Sequence, residues 1–380
     1  MAAREGWTET TLGDIASWSS GKNLSSDKRH ETGLVPILGA NGIIGRTNEV
    51  LLDEELITVG RVGACGETHR STGPVWISDN ALIVIPKEQV IIELLFYVLS
   101  TFNYQSIISG TTQPLITQSK MKSQVVNLPP LTEQKRIVDV VSSVDAYIDA
   151  LQKQVDSART ARNAVLHELL SAGGDDWTET TLGDIAKCAG GTAFPHKFQG
   201  GDTGTPFVKV SDMNESGNER FLSSSNNHVS KEAIKSLGAR VWPMGTIVFA
   251  KVGAALLTEK RRILVKDTIF DNNIMGLVPT ASIESHFLYL YMETVKLGDY
   301  VQPGAVPSVN NSIVSEIAIN LPPLMEQRRI VEIVSSMDEV IQSTEQAIVD
   351  AKNLRSGLLS DLLSGEHEIP ASYDVFVGAA

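Results

Sequence analysis

The sequence predicts an α+β fold with a pseudo-twofold internal repeat, in which two α/β domains are separated by an antiparallel coiled coil of two long helices. Two repeats carry this prediction. The 21 residues that begin at Leu128, LPPLTEQKRIVDVVSSVDAYI, return at Leu321 with 14 positions identical. The decapeptide WTETTLGDIA at Trp7–Ala16 returns unchanged at Trp177–Ala186. A helical periodicity after each Leu-Pro-Pro-Leu is the third observation.

The repeats divide the chain into five segments. We predict a first variable domain over residues 1–128, a long helix over 129–172, a second variable domain over 173–321, a second long helix over 322–364 and a tail over 365–380. The repeats are offset by 170 and 193 residues, so the second variable stretch is longer by the difference, about 23 residues. A constant frame around two unlike stretches indicates that the chain recognises two different targets.

Each long helix is predicted from apolar residues that recur at intervals of four and three, as in a coiled-coil seam. No proline or glycine interrupts residues 131–170, and a helix of that length extends roughly 60 Å at ~1.5 Å per residue. Two such helices in one chain are expected to pair, and antiparallel pairing would put one variable domain at each end. The predicted seam positions are Ile137, Val141, Val144, Ile148, Leu151, Val155, Ala158, Arg162, Val165 and Leu169, then Ile330, Val334, Met337, Ile341, Thr344, Ile348, Ala351, Arg355, Leu358 and Leu362.

Two arginines, Arg162 and Arg355, occupy seam positions where an apolar residue is expected. Two explanations stay open at this point. The first is a polar pair that fixes the register of the helices, with acids such as Glu168 or Asp361. The second is a contact with a partner subunit.

The first variable domain is predicted to contain strands at Leu34–Leu38, Leu56–Val59 and Ala81–Ile85. Between the first two, Gly39–Arg46 predicts a tight exposed loop whose backbone approaches a partner closely. A second glycine-rich loop contains Arg61. A helix from residue 88 to about 108 is predicted to face the core with Ile92, Leu95, Phe96 and Leu99.

The second variable domain carries the most basic run of the chain, Glu259-Lys260-Arg261-Arg262. A solvated loop and a binding loop explain this run equally well. A solvated loop is the common explanation of such a run, but this one follows a strand predicted at 247–252, at a position that corresponds to Arg61 in the first domain, and this raises binding to an equal alternative.

The motifs of the common enzyme classes are absent from the sequence. The glycines of residues 39–46 fit neither G-x-G-x-x-G nor the phosphate loop that ends in G-K-[ST]. Asn-Leu-Pro-Pro at Asn127 lacks the aromatic residue of an amino-methyltransferase motif. The carboxylates of Asp14 and Asp184 have no partner that the sequence identifies, so the decapeptide is predicted to be a structural clip.

Composition indicates a protein of the cytoplasm. No apolar run approaches the ~20 residues of a membrane span, and the N-terminal residues lack the apolar core of a signal peptide. The cysteines, Cys65 and Cys188, stand at non-equivalent places, which disfavours a disulfide or a zinc site. The net charge of −13 argues against a simple nucleic-acid binder, so a DNA surface must be local or be completed by a partner. The acidic tail is expected to be irregular.

The two boxes, the two unlike domains and the two helices together resemble the specificity (S) subunit of type I restriction–modification enzymes. The resemblance rests on W-x4-L-G-D-I at Trp7 and Trp177 and on L-P-P-L-x-E-Q-x-R-I at Leu128 and Leu321. It covers residues 7–364.

This resemblance implies two target-recognition domains, each of which reads one half of a split, asymmetric site in double-stranded DNA. The coiled coil would set the unread spacer. Two methyltransferase subunits would dock on the constant parts and bring S-adenosylmethionine, and restriction–translocase subunits would bring ATP and magnesium. The chain would be a non-catalytic subunit with no cofactor or metal of its own, acting in DNA methylation and phage defence.

Candidate DNA-binding residues follow from the chemistry of base reading, which uses Arg or Lys for guanine and Asn or Gln for adenine, while other cations contact phosphates. In the first domain the candidates are Arg46, Arg61, Arg70, Gln113 and Lys120. In the second domain they are Lys209, Lys251, Lys260, Arg261, Arg262 and Asn310.

The alternative function is a coiled-coil adaptor that assembles partner proteins without reading DNA sequence. Such an adaptor would need the two helices but not the cations of the variable domains.

Overall fold

The computed structural model describes residues 4–110, 114–302 and 304–374. They form two compact units, one from the residues up to Lys153 together with those from Glu345 onwards, and the other from Gln154–Thr344. Each unit combines one variable domain with a stretch of each long helix. The five predicted segments follow the sequence repeats instead, and their boundaries stay a prediction.

The first unit contains a domain of small sheets and short helices. Its strands are β1 (Thr8–Thr11), β2 (Ala16–Ser20), β3 (Val35–Gly39), β4 (Gly42–Thr47), β5 (Leu56–Gly60), β6 (Thr68–Ser71), β7 (Trp76–Ile77), β8 (Ala81–Pro86) and β9 (Val125–Leu128). Its helices are α1 (Leu12–Ile15), α2 (Ile92–Thr101), α3 (Gln118–Lys122) and the first long helix, α4 (Leu131–Ser171). The three predicted strands are confirmed as β3, β5 and β8.

Antiparallel pairing of β1 with β9 closes the first domain on itself. Thr8 lies opposite Leu128 and Thr11 opposite Val125, so the decapeptide and the end of the variable stretch share one two-stranded sheet. The Thr11 hydroxyl accepts a hydrogen bond from the Asp14 backbone N–H at 3.2 Å and caps α1. This arrangement supports the prediction that the decapeptide is a structural clip.

The core of the first domain lies between two sheets and α2. The strand order is β2-β8-β5-β6 in the four-stranded antiparallel sheet and β4-β3-β7 in the three-stranded sheet. Leu38 of β3 and Leu56 of β5 belong to one buried apolar cluster, so the two sheets share a core. Burial of these side chains supplies the main driving force for folding.

Helix α2 is shorter at both ends than predicted, since the backbone is extended at Ile91 and again at Phe102. Leu95 and Leu99 are buried against the four-stranded sheet, as predicted, whereas Ile92 and Phe96 are only partly buried. Leu94, which was not predicted in the core, is buried with residues of the long helices. All four predicted residues thus face the core, and the pattern missed only that the helix is buried on a second side, at Leu94.

Residues 39–46 were predicted as an exposed loop, and this prediction is wrong: most of them form a β-ribbon. Strands β3 and β4 pair antiparallel, and only Ala40 and Asn41 lie in the turn. Gly42 has φ +84°, a conformation that residues with side chains rarely adopt. Glycines are as common in tight hairpins as in loops, so the glycine pattern alone could not distinguish the two.

The second unit contains the second variable domain. Its strands are β10 (Thr178–Thr181), β11 (Ala186–Gly190), β12 (Thr205–Val208), β13 (Phe221–Leu222), β14 (His228–Val229), β15 (Ile247–Ala250), β16 (Arg261–Leu264), β17 (Ile269–Phe270), β18 (Ile274–Pro279) and β19 (Ala318–Leu321). Its helices are α5 (Leu182–Ile185), α6 (Lys231–Leu237), α7 (Ala254–Leu257), α8 (Ser285–Thr294) and α9 (Asn311–Ser315), followed by the second long helix, α10 (Leu324–Ser364).

The second domain repeats the plan of the first. Strand β10 pairs with β19 as β1 does with β9, and the larger sheets have the orders β11-β18-β15-β16-β13 and β14-β12-β17. Strand β13 has no counterpart in the first domain. In the sequence, β13 and α6 stand between β12 and β15. The additional residues that the repeat offsets predicted are therefore in this part of the chain. Hydrogen bonds from Thr181 and Thr180 hold the pKa of the Asp184 carboxyl below its usual range, so this copy of the clip is capped too.

In the first unit the long helices run antiparallel. Ile137 of α4 packs in one cluster with Leu362 of α10. Two turns further along α4, Asp145 forms an ion pair with Arg355, which lies two turns earlier on α10. The order of these contacts is reversed between the helices, as antiparallel pairing requires.

In the second unit the pairing is repeated with the helices exchanged. Arg162 of α4 donates from Nε to Asp338 of α10 at 2.9 Å, and Leu166 packs in one cluster with Val334. Arg162 also pairs with Glu293 of α8 at 2.7 Å, so it ties the helix pair to the variable domain.

The predicted coiled-coil seam is confirmed, with one local change. All 20 predicted positions are buried or partly buried. Beyond each arginine, the most buried residue is Leu166 rather than Val165 and Leu359 rather than Leu358. These leucines pack in clusters that include residues of the variable domains, so the seam turns there from the partner helix toward the domain.

The arginines of the seam form register-fixing pairs, but not with the acids that were named. Glu168 and Asp361 do not fill that role, because Arg162 pairs with Asp338 and Arg355 with Asp145. The error arose because a seam pattern shows which residues face inward but not which residues of the other helix lie opposite them.

Replacing Asp338 by asparagine is expected to lower the free energy of unfolding by about 2–3 kcal/mol, because the buried guanidinium of Arg162 and a second, half-buried guanidinium would lose their shared anion. The second of these groups is Arg220, whose Nη1 lies 2.7 Å from Asp338 Oδ2. Urea unfolding of the full chain measures the change. Glu339→Gln, which neutralises the exposed neighbouring acid, is the matched control. Equal stability of the two variants would contradict the stabilising role of Asp338.

A buried glutamine in each L-P-P-L-x-E-Q box joins the start of a long helix to its variable domain. Gln134 accepts a hydrogen bond from the Ile91 backbone N–H at 2.9 Å and donates to the carbonyls of Gln89 and Pro129. Gln327 makes the same three bonds with the backbone of Glu284, Ser282 and Pro322. Both side chains are fully buried, so these backbone groups have no access to water there.

Up to residue 374 the tail is largely irregular, as predicted, and it packs against the core of the first unit. Ile369 is buried in the cluster that holds Ile137, and Asp374 pairs with Arg136 at 2.6 Å. Hydrogen bonds from Arg136 hold the pKa of Asp374 below its usual range. Arg4 links Glu368, at 2.8 Å, to Glu133 of α4, at 2.9 Å. The acidic residues of this segment thus have basic partners on the helix and the N-terminal segment.

Candidate nucleic-acid interface

In the first domain, Arg61 lies directly after the last residue of β5, at the centre of a group of polar residues. Its backbone N–H donates to Asn80 O at 2.9 Å, and its carbonyl accepts from the Ile116 N–H. The half-buried guanidinium donates from Nη1 to Ser20 Oγ at 3.0 Å. The Gln118 amide is hydrogen-bonded to the same hydroxyl at 2.9 Å. We call this group, with the strand ends that hold it, the strand-end site.

The turn of the β3–β4 ribbon lies against the strand-end site. A Cβ atom on Gly60 would be 2.5 Å from the Ala40 carbonyl oxygen, so only glycine allows the ribbon to approach β5 this closely. The sequence predicted a close backbone approach at the first glycine-rich segment. In the structure this approach joins two parts of the same domain.

In the second domain, Lys251 occupies the position of Arg61. It follows the last residue of β15, donates from its backbone N–H to Asn273 O at 2.8 Å and accepts from the Val309 N–H. Its Nζ lies 2.7 Å from the place where a Cβ on Gly190 would be. The Lys251 side chain therefore lies against the backbone of Gly190, the residue that corresponds to Ser20 of the first domain.

The equivalence of Arg61 and Lys251 corrects a prediction. The basic run 259–262 was expected to be the counterpart of the Arg61 region, whereas it forms the approach to β16 and the start of that strand. Arg261 and Arg262 pair with β15 in the sheet interior, where Arg261 lies opposite Phe249.

Burial excludes Arg261 and Arg262 from the candidate DNA-binding residues. They are 3% and 7% exposed, respectively. Arg261 pairs with Glu259 at 2.6 Å, and Arg262 donates to the Met213 carbonyl oxygen at 2.7 Å. Burial lowers the pKa of the Arg262 guanidinium. The prediction that they contact DNA is therefore wrong, because both guanidinium groups are bound to partners inside the domain.

Three further candidates are held by hydrogen bonds or ion pairs with residues of their own domain. Arg70 pairs with Glu93 at 2.6 Å and also with Glu55. Lys120 donates from Nζ to the Ile107 carbonyl oxygen at 3.0 Å. Lys260 donates to Asn214 at 2.5 Å. The remaining hydrogen-bonding capacity of these groups is smaller than the sequence suggested, and their DNA contacts stay predictions.

Lys209 and Asn310 have structural bonds but keep polar groups near solvent. Lys209 is half-buried, and its Nζ lies 3.3 Å from Gln199 Oε1. Its charge opposes the burial that raises the pKa of Asp271. Asn310 is exposed and caps α9 by accepting from the Ile313 N–H at 2.9 Å, which leaves its amide N–H₂ without a role in the cap.

Arg46 is exposed on β4, where its Nη1 lies 3.3 Å from the Gly33 carbonyl oxygen. Gln113 lies outside the described residues. Both stay predictions as DNA-binding residues.

The structure adds residues that the sequence argument missed. Asn80 and Asn273 are exposed at equivalent positions beside Arg61 and Lys251. The signal was present, since the same amide residue recurs 193 positions later in otherwise unlike domains. Lys22 and Arg29 are exposed near the β3–β4 ribbon. Their signal was weaker, because they stand in an irregular segment without a motif.

Each strand-end site combines one half-buried cation with an exposed asparagine. A cation held by a backbone frame can contact a phosphate or a guanine edge, and an asparagine amide can pair with adenine. The first domain places Arg61, Asn80 and Gln118 together, and the second places Lys251 and Asn273 together, with the same backbone bonds and different side chains around them. Within 4–110, 114–302 and 304–374, no helix is long and apolar enough to span a membrane.

The fold and the two equivalent sites define a duplicated recognition protein, with two variable domains on a constant helical frame. The chain belongs to the family of type I restriction modification DNA specificity domains, which matches residues 4–157 and again 174–352. The family match confirms the resemblance drawn from the two boxes.

Individual relatives agree with the family. The specificity subunit of the type I restriction enzyme EcoprrI from Escherichia coli is 26% identical over 37% of this chain and 36% of its own length, so that match spans about a third of the relative. The EcoR124I/EcoR124II specificity subunit from Escherichia coli is 21% identical over 90% of both chains.

A solved chain from a study of complex assembly and conformational transition in the type I R-M system has the same fold. It superposes with a TM-score of 0.66 at 15% identity, covering 97% of this chain and 100% of the other. The predicted α+β architecture with an internal repeat is therefore confirmed.

Proposed function

We propose that this chain is the non-catalytic DNA-specificity subunit of a type I restriction–modification complex. Each variable domain reads one half of a bipartite, asymmetric site in double-stranded DNA, and the helix pair sets the unread spacer. The observation that carries the proposal is the equivalence of Arg61 and Lys251. The same backbone frame presents a cation in both domains, while the side chains around it differ.

The different surroundings explain why the two half-sites would differ. Arg61 offers a planar guanidinium with several donors, which suits paired acceptors such as those of guanine. Lys251 offers a compact ammonium group, which occupies the space beside Gly190 where the first domain has Ser20. Two unlike readers on one frame produce an asymmetric site, whereas two identical domains would produce a symmetric one.

The partners in this proposal are two methyltransferase subunits and the restriction–translocase subunits. S-adenosylmethionine, ATP and magnesium would be bound by those partners, and the chain itself would bind none of them. The net charge of −13 supports such a division, because an acidic chain gains little from phosphate contacts on its own.

Exchange of residues 187–320 for the corresponding domain of another family member tests the proposal. The methylome of cells that express the chimera with the methyltransferase subunit should contain a split motif in which one half has changed and the other has not. Exchange of residues 17–127 is the reciprocal control and should change the other half. A change in both halves, or in neither, would contradict the assignment of one half-site to each domain.

A further inference from the structure

The β3–β4 ribbon of the first domain carries an exposed apolar patch. Ile43 is 64% exposed, Ile44 48% and Leu34 85%. Two adjacent residues of a regular strand point to opposite faces, so one of two neighbouring isoleucines is normally buried. Here neither is buried, and the patch is rimmed by polar residues, as at interaction sites.

A β-bulge exposes both isoleucines. Leu38 pairs with Ile43 and Ile37 pairs with Gly45, so Ile44 is an extra residue on β4 without a partner on β3. Bulges of this kind re-aim side chains and are common next to functional sites. The exposure of the pair is therefore built into the ribbon and is not a fraying of its end.

The corresponding ribbon of the second domain lacks the patch. Its strands β12 and β14 pair in the same way, but Val229 of β14 and Phe207 of β12 are buried in an apolar cluster. The exposed isoleucines are thus a property of the first domain alone, as expected for residues that distinguish one target from another.

Charge around the patch favours DNA as its occupant. Arg46 follows the isoleucines on β4, and the segment with Arg29 runs alongside that strand through a bridge to Thr47. The ribbon turn at Ala40 lies against Gly60, next to Arg61. The ribbon that carries the patch therefore reaches the strand-end site at its turn, and Arg46 and Arg29 lie beside the patch. A two-stranded ribbon has the dimensions that the DNA major groove admits.

We propose that the β3–β4 ribbon enters the major groove and that Ile43 and Ile44 contact the C5-methyl group of thymine. That methyl is the one apolar feature that the bases present in the major groove. Arg46 and Arg29 contact the adjacent phosphates, and Arg61 lies within the same half-site. This inference rests on the proposed function, because it assumes that the first domain reads a half-site.

The test uses the methyltransferase complex assembled with the full chain. The half-site of the first domain is the half that persists when residues 187–320 are exchanged. Duplexes are made in which each thymine of that half-site, one at a time, is replaced by deoxyuridine, which removes the methyl group only. At one or more positions the wild-type complex should bind about three- to fivefold more weakly, the effect of burying one methyl group.

The double variant Ile43→Ala, Ile44→Ala should bind the thymine and uracil duplexes equally, near the affinity of the wild-type complex for uracil. Met244→Ala is the matched control, since Met244 is an exposed apolar residue of the second domain at the opposite end of β15 from Lys251. It should keep the thymine preference.

Three results would overturn the inference and leave the proposed function intact: a half-site without A·T pairs, no effect of uracil on the wild-type complex, or a thymine preference that persists in the double variant. Absence of any bipartite methylation would instead reject the proposed function. The uracil series on the wild-type complex can still overturn the inference where the double variant fails to fold.

Discussion

Replacing Arg61 by alanine is expected to weaken binding of the assembled complex to its DNA site by roughly 5- to 150-fold, since a base or phosphate contact of a fixed guanidinium contributes about 1–3 kcal/mol. The side chain is held by Ser20 and by a backbone frame on both sides, so little conformational entropy is lost when DNA binds. Fluorescence anisotropy of a labelled duplex at fixed salt measures the effect. Lys251→Ala should produce a comparable loss at the other half-site.

Lys87→Ala is the matched control for Arg61. Lys87 is exposed and follows β8, at the opposite end of the same sheet from Arg61. Its substitution by alanine removes one positive charge, as Arg61→Ala does. Its loss should change affinity less than twofold. If Arg61→Ala and Lys251→Ala also left the affinity unchanged, the strand-end sites would not bind DNA, and the adaptor function would become the better explanation.

Replacing Gln134 by leucine is expected to lower the free energy of unfolding by about 3–5 kcal/mol, because one backbone N–H and two carbonyls would be left buried without partners. Leucine has nearly the volume of glutamine, so the loss would come from hydrogen bonds and not from a cavity. Gln327→Leu should produce a similar loss in the second unit. Thermal unfolding followed by circular dichroism is the measurement.

Gln105→Leu serves as the control, since Gln105 is exposed on the same domain and should shift the unfolding temperature by less than two degrees or so. Equal melting of Gln134→Leu and Gln105→Leu would mean that the glutamine of the box is not a structural joint. In each unit this glutamine ties the start of a long helix to the backbone of the variable domain.

The two long helices and the boxes before them could be predicted from sequence because each occurs twice in the chain. The same spacing of apolar residues in two copies predicted the seam, and all of its positions from Ile137 to Leu362 are at least partly buried. Strands β3, β5 and β8 were predicted from β-branched and aliphatic runs bounded by glycine or proline. Local patterns were sufficient where one side of an element faces the core.

The strand-end sites could be predicted only in part. Arg61 and Lys251 were both candidates, but their equivalence was hidden. The repeat offset is 193 residues, whereas these two positions are 251 − 61 = 190 residues apart, since the loops that follow them differ in length. The backbone bonds to Asn80 and Asn273 reveal the match, and no sequence pattern encodes those bonds.

The burial of charged residues could not be predicted from the sequence either. Arg261 and Arg262 look like a solvated basic run in the sequence, yet both lie within a sheet. Whether an arginine faces water depends on carbonyls that lie far away in sequence, here those of Val295 and Met213. Tertiary partners of this kind cannot be inferred from neighbours in the chain.

The two arginine–aspartate pairs also determine which wrong structures the chain avoids. Arg162 and Arg355 are equivalent residues of the repeat, and so are Asp145 and Asp338. If α4 and α10 lay side by side in the same direction and in register, arginine would face arginine and aspartate would face aspartate. Like charges in a desolvated seam are costly. During folding, a same-direction encounter of two nearly identical helices is therefore penalised at two places, and the chain is directed away from the mispairing that its own duplication invites.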